Sequence, residues 1–336
     1  MSVLFYTAKD KDDAGKRLIA LAKSNESMQE SRRLLAAKYA SLYEGLNLHG
    51  LAPYGYSTNV NAYFREDQGE QIPIIRNAPH SIVDTFVSKI AALETPKPAM
   101  LTTRGSWADR RVAKQLELLV EAEFYEPQGR FATLEELWIH AVRIAAAATG
   151  SVAVKVTAYE NEPKVSHEIH DTLTMFFDYG ELTYGDMLTV GECTWFDVDR
   201  AVEIWGKNSA KREAMIRRSA RKPPDEFRQP ASSGQVTDMV PVFEGWRGKT
   251  GEKPGKYCAA VDEGTLEWRD YDYARPPFVW FVIDPHLYGV LGHCITHHIY
   301  ESVRRDNLIK SKIDRGVSKA IRNTSFVDKA KLVDPN

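Results

Sequence analysis

The segment ITHHIYESVRRDNLIKSKIDRGVSKAIR, residues Ile295–Arg322, is predicted to form one long helix with many basic side chains. It follows a hairpin-like stretch, Tyr257–Arg269, and two runs that contain proline or glycine, Ala274–Phe281 and Pro285–Gly292. The helix has a large polar surface and no partner nearby in the sequence. We therefore expect it to be stable only as part of an assembly.

The composition is that of an ordinary globular protein. Its 336 residues are 43% hydrophobic and 27% charged, which allows a substantial core in one elongated or two closely joined domains. The formal net charge of −2 argues against a protein that coats nucleic acid over its whole surface, although it permits a local basic stripe. The three widely spaced cysteines predict reduced thiols rather than a disulfide framework.

The N-terminal sequence does not predict a targeting signal. Met1–Tyr6 is followed by the charged run Lys9–Asp13 and contains no apolar core of signal-peptide length. No stretch of the sequence approaches the ~20 apolar residues of a membrane-spanning helix. We therefore expect a soluble protein made in the cytoplasm, with no membrane partner. The charges at Lys9–Lys16 and the lack of periodicity there suggest an N-terminal arm that reaches a neighbouring chain.

Four helices are predicted in the first half of the chain. The first covers about Asp13–Leu46, where apolar residues recur at intervals of three and four. Asn77 is a predicted N-cap, and Ser106–Asp109 resembles a capping box with Asp in place of Glu. Thr133–Glu136 is a second capping box, and its helix is expected to end at Gly150, which can adopt the left-handed conformation.

The pattern changes from helix to strand at Ser151. Alternating or short apolar runs predict strands at 151–156, 165–170, 187–195, 240–246, 257–261, 265–269 and 278–282. A charged helical stretch, about Asp199–Arg221, interrupts them, and Lys222–Gln235 is predicted to be a loop. The order of four helices, a small β-rich section and one long helix predicts an α+β fold.

The sequence lacks the common motifs of nucleotide and acyl chemistry. It has no Walker A loop, no dinucleotide-binding glycine fingerprint and no nucleophile elbow. We therefore predict no enzymatic activity and no cofactor. If the protein takes part in an energy-consuming process, another chain supplies the ATPase.

The most metal-like motif is His293–His298. On a helix, His293 and His297 stand at i and i+4 and could share a metal ion, but a third and a fourth ligand would be needed, for which Glu301 is the nearest acidic candidate. Packed and hydrogen-bonded histidines are the default interpretation, so we predict no metal site. The rival hypothesis is a soluble α+β metal-binding protein or enzyme that uses this cluster.

The long helix is rich in basic residues. They are Arg304, Arg305, Lys310, Lys312, Arg315, Lys319 and Arg322. One such helix usually presents only a solvated face or a set of i,i+4 pairs. Repeated around a ring, however, it would make a charged tunnel that holds a DNA backbone without reading sequence. A nucleic-acid-binding module that works as a monomer is a further alternative.

An ordered series of short segments adds a family resemblance. The segments are Arg32–Arg33, Tyr39–Tyr43, Asn77, Ile82–Thr85, Lys97–Pro98, Ala113–Leu119, Ala141–Gly150, Val152–Val156, Trp195–Arg200, Val242–Trp246, Pro276–Phe278 and Tyr288–Gly292. In this order the chain resembles the portal proteins, or head-to-tail connectors, of tailed double-stranded DNA bacteriophages. One departure is the stem helix, which keeps Asn307 but lacks the glutamine of the family's Gln-x-x-x-Asn pattern.

The resemblance implies a portal-type wing followed by a stem helix. Residues 1–150 would form the helical part of the wing, 151–290 its β-rich part, 291–323 the first stem helix, and 324–336 the beginning of a clip. The rest of the clip, the second stem helix and the crown of the family are missing here. Either this sequence is part of a longer protein, which is the favoured interpretation, or the missing parts belong to another polypeptide.

The resemblance also implies a function and partners. The chain would be a structural subunit of a dodecameric ring at one capsid vertex of the virion, assembled in the host cytoplasm. Double-stranded DNA would pass through the ring during packaging and ejection. Expected partners are the major capsid and scaffolding proteins, the terminase large subunit, and adaptor and tail proteins.

The candidate channel residues are the basic positions near the end of the long helix. They are Lys310, Lys312, Arg315, Lys319 and Arg322. Because these positions span more than one helix face, some are expected to contact neighbouring subunits instead of DNA. In the wing, Trp107, Trp138, Trp195 and Trp246 are predicted to lie in the core.

Overall fold

The computed structural model describes most of the chain. It covers residues 4–44, 77–93, 100–102, 105–127, 130–158, 165–178, 180–181, 187–207, 209–221, 239–287 and 291–322. The predicted loop Lys222–Gln235 and the predicted clip segment 324–336 lie outside the described residues.

Within these ranges the chain forms seven helices. They are α1 (Lys11–Glu44), α2 (Ala78–Ala91), α3 (Trp107–Tyr125), α4 (Leu134–Ile144), α5 (Val198–Ala201), α6 (Ala210–Arg218) and α7 (Ile295–Arg322). Single π-helical turns, Ala145–Thr149 and Val202–Gly206, extend α4 and α5, and a 3₁₀ turn, Phe5–Thr7, precedes α1. None of the helices in the described ranges is both long and apolar enough to cross a membrane.

The strands form two main sheets and one small hairpin. The strands are β1 (Ser151–Ala158), β2 (Val165–Asp171), β3 (Met175–Phe177), β4 (Thr189–Asp197), β5 (Met239–Arg247), β6 (Gly255–Val261), β7 (Gly264–Tyr271), β8 (Phe278–Val282), β9 (Asp284–Pro285) and β10 (Gly292–His293). An antiparallel sheet has the order β3-β4-β5-β6-β7, a second has β2-β1-β8, and β9 pairs with β10. The fold is therefore of the α+β class.

The predicted helix ends at Asn77, Ser106 and Gly150 are confirmed, whereas the capping box predicted at Thr133–Glu136 is formed only in part. The Asn77 side chain accepts from the backbone N–H of His80, and Ser106 and Asp109 form a reciprocal capping box. The Thr133 hydroxyl accepts from the N–H of Glu136, whose own carboxylate accepts from the N–H of Ala132 rather than from Thr133. Gly150 has the predicted left-handed conformation, with φ of 73°.

The stretch predicted to be helical, about Asp199–Arg221, is helical, but the structure divides it into two helices. The first part, α5 and its π-helical turn, ends at Gly206, and α6 begins after Ser209. The Ser209 hydroxyl accepts a hydrogen bond from the N–H of Arg212, so Ser209 is the N-cap of a new helix. Glycine and serine favour a helix end and a helix start respectively, which explains the break.

The two sheets pack face to face between layers of helix. One face of the five-stranded sheet meets the three-stranded sheet in a shared core that includes Ala153, Val190, Trp246 and Phe278. The other face of the three-stranded sheet, with Val152 and Val154, packs on α4. Both faces of β1 are thus buried, which explains why small and apolar residues dominate its sequence.

The N-terminal segment is packed in the body, so the predicted arm is wrong. Phe5 and Leu18 are fully buried on the free face of the five-stranded sheet. Gly245 of β5 makes room for them, because a Cβ on that residue would lie 2.4 Å from Leu18 Cδ1. The charges of Lys9–Lys16 that suggested an arm flank this apolar contact, and tertiary packing overrides the weak local periodicity.

The second half of α1 lies against the other helices. Tyr43 of α1 packs with Val83 of α2, Val142 of α4 and Ile295 at the start of α7. Gly150, after α4, allows a close backbone approach, because a Cβ there would lie 2.0 Å from the carbonyl oxygen of Gly292. These contacts fix the position from which α7 begins.

The tryptophans do not all lie in the core as predicted. Trp246 is buried and Trp195 half-buried, whereas Trp107 is 76% exposed and Trp138 is 40% exposed. For Trp107 and Trp138 the prediction is therefore wrong. Trp107 begins α3, whose only fully buried residue is Ala113, so that helix covers little of its own apolar surface.

Candidate functional site

The base of α7 is attached to the body, and its far end is not. Thr296 and Val303 are buried in the first turns, where α7 packs on α1, α2 and the π-helical turn of α4. Beyond Ser311 no described side chain of α7 is buried. The second half of this 28-residue helix therefore projects from the rest of the described structure.

One face of the projecting part is apolar and uncovered. Ile309, Ile313 and Val317 are 50%, 60% and 52% exposed. Their spacing of four residues places them in one row along the helix. Isolated apolar residues are normal on a protein surface, but a continuous row on a projecting helix is typical of a surface that another chain covers.

A second face of α7 is basic. At the α-helical rotation per residue, positions 312, 315, 319 and 322 lie within an arc of about 80°. Arg304 and Arg305 lie near the same arc, about two turns closer to the base than position 312. The side chains of Arg304, Arg305 and Lys312 are exposed. The Arg304 guanidinium lies 3.7 Å from the carboxylate of Glu301, one turn earlier.

The structure separates Lys310 from the other four candidate channel residues. Position 310 lies roughly 160° around the helix from position 312. The Lys310 ammonium also forms an ion pair with the carboxylate of Asp306 one turn earlier. The structure thus brings positions 312, 315, 319 and 322 together on one face, whereas their role in a DNA channel stays a prediction.

Four histidines gather where α7 joins the body. This histidine cluster consists of His286, His293, His297 and His298. The ring centroids of His286 and His293 are 4.2 Å apart. Those of His293 and His297 are 4.3 Å apart, with planes inclined by 16°. The His298 ring lies edge-on to those of His293 and His297. The cluster therefore joins the β9–β10 hairpin to the first turn of α7.

The histidine cluster is held by contacts on two sides. Tyr39 Oη of α1 lies 2.7 Å from Nδ1 of His297, and Nε2 of His298 lies 2.9 Å from the Asp284 carboxylate. Burial lowers the pKa of His293 and His297, and the charge of neighbouring histidines lowers it further. Burial also raises the pKa of Tyr39 to about 12, so its phenol stays protonated.

The histidine cluster does not have the geometry of a metal site. Its rings stack face to face, whereas metal ligands direct their nitrogen lone pairs to one point. In the part of the chain that the structure describes, no three His, Cys, Asp or Glu side chains are placed to hold a metal ion. The rival metal-binding hypothesis therefore gains no support from these residues.

A buried ion cluster joins the two sheets, and the sequence pattern did not indicate it. The Lys155 ammonium of β1 lies between Glu192 and Glu244, and its distance to Glu244 is 3.2 Å. His170 of β2 contacts Glu192 at 2.6 Å, and the Tyr257 hydroxyl donates to Glu244 at 2.6 Å. Glu192 and Glu244 stand directly opposite each other in the β4–β5 register.

The charges of this buried ion cluster depend on one another. Burial alone would lower the pKa of Lys155, but the two carboxylates outweigh burial and raise it. For Glu192, burial opposes ionisation, yet His170 and Lys155 lower its pKa to about 2. Burial raises the pKa of Glu244 and the like charge of Glu192 adds to this effect, which Lys155 and the Tyr257 hydroxyl oppose.

The buried ion cluster is enclosed rather than open to a substrate. The side chains of Lys155, Glu192 and Glu244 are only 12%, 1% and 10% exposed, and Lys155 also lies over the Trp246 ring at 4.6 Å. Such an arrangement fixes the two sheets in one relative position. A charged residue at an alternate position of an otherwise apolar strand was the available signal, although it does not identify the partner.

Comparison with known proteins does not indicate a family or a function for the chain. No protein-family model matches the chain, and no curated protein in the search matches it either.

Proposed function

We propose that this chain is the subunit of a portal-type ring through which double-stranded DNA passes. The observation that carries the proposal is the division of α7 into three faces. One packs on the body, a second presents the row Ile309, Ile313 and Val317, and a third holds the basic positions from 304 to 322. The projecting helix needs partners on its two uncovered faces, and these partners differ in chemistry.

The apolar face fits a neighbouring copy of the same chain. Burying half-exposed isoleucine and valine side chains is favourable by about 25 cal/mol per Å² of apolar surface. A head-to-tail contact between copies closes into a ring when the rotation per subunit divides a full circle. The half of α7 that lacks support from its own body would gain it from its neighbours.

The basic face fits a DNA backbone. Positions 312, 315, 319 and 322 lie on one side of the helix, so a ring of such helices would line its centre with lysine and arginine. Lysine and arginine bind phosphates without reading bases, which is the recognition that a channel for any sequence requires. The exposed side chains of Arg304 and Arg305 extend this surface toward the base of α7.

The finer assignments rest on the family resemblance alone. They are a dodecameric ring at one capsid vertex of a tailed bacteriophage, a structural role without enzymatic activity, and a place in the virion. The proposed partners are the major capsid and scaffolding proteins, the terminase large subunit, and adaptor and tail proteins. The helical layers and the two sheets would form the wing, and α7 the first stem helix.

Charge reversal on α7 tests the proposed channel. We expect Lys312→Glu combined with Arg315→Glu to reduce DNA retention or packaging while particle mass stays unchanged. In purified particles, the slope of log binding constant against log salt should fall by roughly one for each phosphate that the variant no longer binds. Filter binding at four salt concentrations and light scattering measure the two effects.

A single lysine on the other side of the helix is the matched control. Lys310→Glu makes the same charge change two positions from Lys312→Glu, but it removes the ion pair with Asp306 instead of a proposed channel residue. We expect DNA binding to respond to Lys312→Glu and much less to Lys310→Glu. Equal responses would contradict the assigned faces, and loss of the ring would show that Lys312 and Arg315 act at subunit contacts.

A further inference from the structure

The histidine cluster lies at the place where α7 is attached to the sheets. His286 follows β9, His293 belongs to β10, and His297 and His298 lie in the first turn of α7. The stacked rings therefore connect the hairpin to the helix. A change in the interaction between these rings would therefore change the contacts that hold the first turn of α7 to the hairpin.

The geometry tolerates neutral rings and penalises charged ones. Neutral imidazoles stack well at centroid distances of 4.2 and 4.3 Å. Two imidazolium cations at such distances repel each other strongly when they are partly removed from water. The first turn of a helix adds to this, because the partial positive charge of its free N–H groups disfavours cations.

The groups around the histidine cluster supply little negative charge to balance protonated rings. From α1, Arg32 faces His286 and His293 with a positive charge, and Tyr39 contacts His297. From β9, Asp284 contacts His298. Cys294, immediately before α7, and Tyr300 and Glu301 of α7 lie close to Tyr39.

The remaining neighbours of the helix base are mostly apolar. The π-helical turn of α4 contributes alanines, and α2 contributes Val83 and Val87. On α2, His80 and Asp84 contact each other and face Tyr43 instead. Among the described groups Asp284 is the only carboxylate in contact with the histidine cluster, so one acid faces four histidines.

We propose that the histidine cluster is a pH-sensitive hinge, in which protonation of the stacked rings loosens the attachment of α7 to the body. This inference does not depend on the proposed ring or on DNA, because it concerns contacts within one chain.

The pKa shifts agree with this geometry and set the pH range. Burial lowers the pKa of His286, His293 and His297 below the ordinary value of 6.5, and neighbouring positive charges lower it further. A histidine with a lowered pKa binds its proton more readily when its contacts are broken. Its contribution to stability is therefore complete above pH 6.5 and is lost as the pH falls from 6.5 through the folded-state pKa.

Hydrogen exchange of the full-length protein tests the hinge. We expect amides in the first turns of α7, up to Val303, to exchange faster at pH 5.0 than at pH 7.5, after correction for the intrinsic pH dependence. Each unit of pKa depression allows a change of about tenfold. Peptides from β7, which contains no residue of the histidine cluster or of the buried ion cluster, should not change. A corrected rate for the α7 peptides that is the same at both pH values would overturn the proposal.

Asparagine variants identify the groups responsible. His286→Asn combined with His293→Asn removes the titrating centre of the stack and should flatten the pH dependence of exchange in α7. His80→Asn, which changes a histidine of α2 outside the cluster, should leave that dependence as in the unchanged protein. An undiminished dependence in the double variant would exclude the cluster as its cause.

The unchanged protein provides a second measurement if the double variant does not fold. Slow exchange of the histidine C2 protons, measured by mass spectrometry on each histidine peptide, gives the pKa of the ring. The proposal requires His293 and His297 to titrate below 6.5. Titration at or above that value would overturn it.

Discussion

The charges between the two sheets and the charges on α7 are arranged in opposite ways. Lys155, Glu192 and Glu244 are enclosed, and each has a partner of opposite charge within the same chain. On α7, Arg304, Arg305 and Lys312 are exposed on one side of a projecting helix. The buried charges of the sheet body are thus satisfied within the chain, whereas the outer half of α7 leaves its charges exposed, which is the basis of the proposal that it contacts other molecules.

Apolar surface follows the same division. Trp246 and Leu18 belong to clusters of buried apolar residues at the faces of the sheets. On α7 the row Ile309, Ile313 and Val317 remains half-exposed or more. Substitutions in the body should therefore change stability, and substitutions on α7 should change assembly.

The largest expected effect on stability is the loss of the central cation in the buried ion cluster. Lys155→Met leaves the buried Glu244 carboxylate without a cation and directly opposite Glu192, which retains only His170. Removal of one partner from a buried ion pair destabilises a protein by about 3–5 kcal/mol. Denaturant unfolding measures the free energy of unfolding directly.

An exposed ion pair is the control for Lys155→Met. Arg217 of α6 pairs with Glu213 at 3.0 Å on the surface, and Arg217→Met should leave the unfolding midpoint unchanged within error. If Lys155→Met were as mild as Arg217→Met, the cluster would not fasten the sheets together, and the first half of the comparison would fail.

The next effect concerns assembly rather than folding. Ile309→Asp combined with Ile313→Asp places two charges on the apolar face of α7, which would have to be desolvated in a subunit contact. We expect the particle mass to fall to that of a single chain, while the free energy of unfolding of that chain changes by less than about 1 kcal/mol. Light scattering and denaturant unfolding measure these quantities.

Two other exposed leucines provide a matched double variant. Leu101 and Leu287 are 91% and 95% exposed, so Leu101→Asp combined with Leu287→Asp adds the same charge without touching α7. This variant should keep the assembled mass. If both double variants dissociated, or neither did, the apolar face of α7 would have no special role.

The smallest expected effect is the loss of a helix cap in the body, which should change stability without changing assembly. Thr133 is the N-cap of α4, and its hydroxyl accepts from the N–H of Glu136. Thr133→Ala should lower the free energy of unfolding by about 1 kcal/mol and leave the particle mass unchanged. A change in mass would show that assembly also depends on the helical layer beneath the sheets.

The sequence predicted the elements whose signals are local. The bounds of α7 and the caps at Asn77 and Ser106 follow from helical periodicity and from side chains that accept backbone hydrogen bonds. The packing of Phe5 and Leu18 was missed, because the room for them is created by Gly245, far away in the sequence. Long-range contacts of this kind leave no local pattern.

The candidate site was predictable in part for the same reason. The common face of positions 312, 315, 319 and 322 follows from helical geometry alone. The position of Lys310 beside Asp306 also follows from spacing, once the helix is known. The stacking of His286 on His293 was not predictable, because it depends on the β9–β10 hairpin that brings the two residues together.

The most direct test of the central claim is the particle mass and symmetry of the purified full-length protein. Light scattering and negative-stain electron microscopy at several salt concentrations provide both. The proposed function predicts rings with a central channel and a mass many times the 38.0 kDa of one chain. A uniform monomer or dimer at every salt concentration would contradict it.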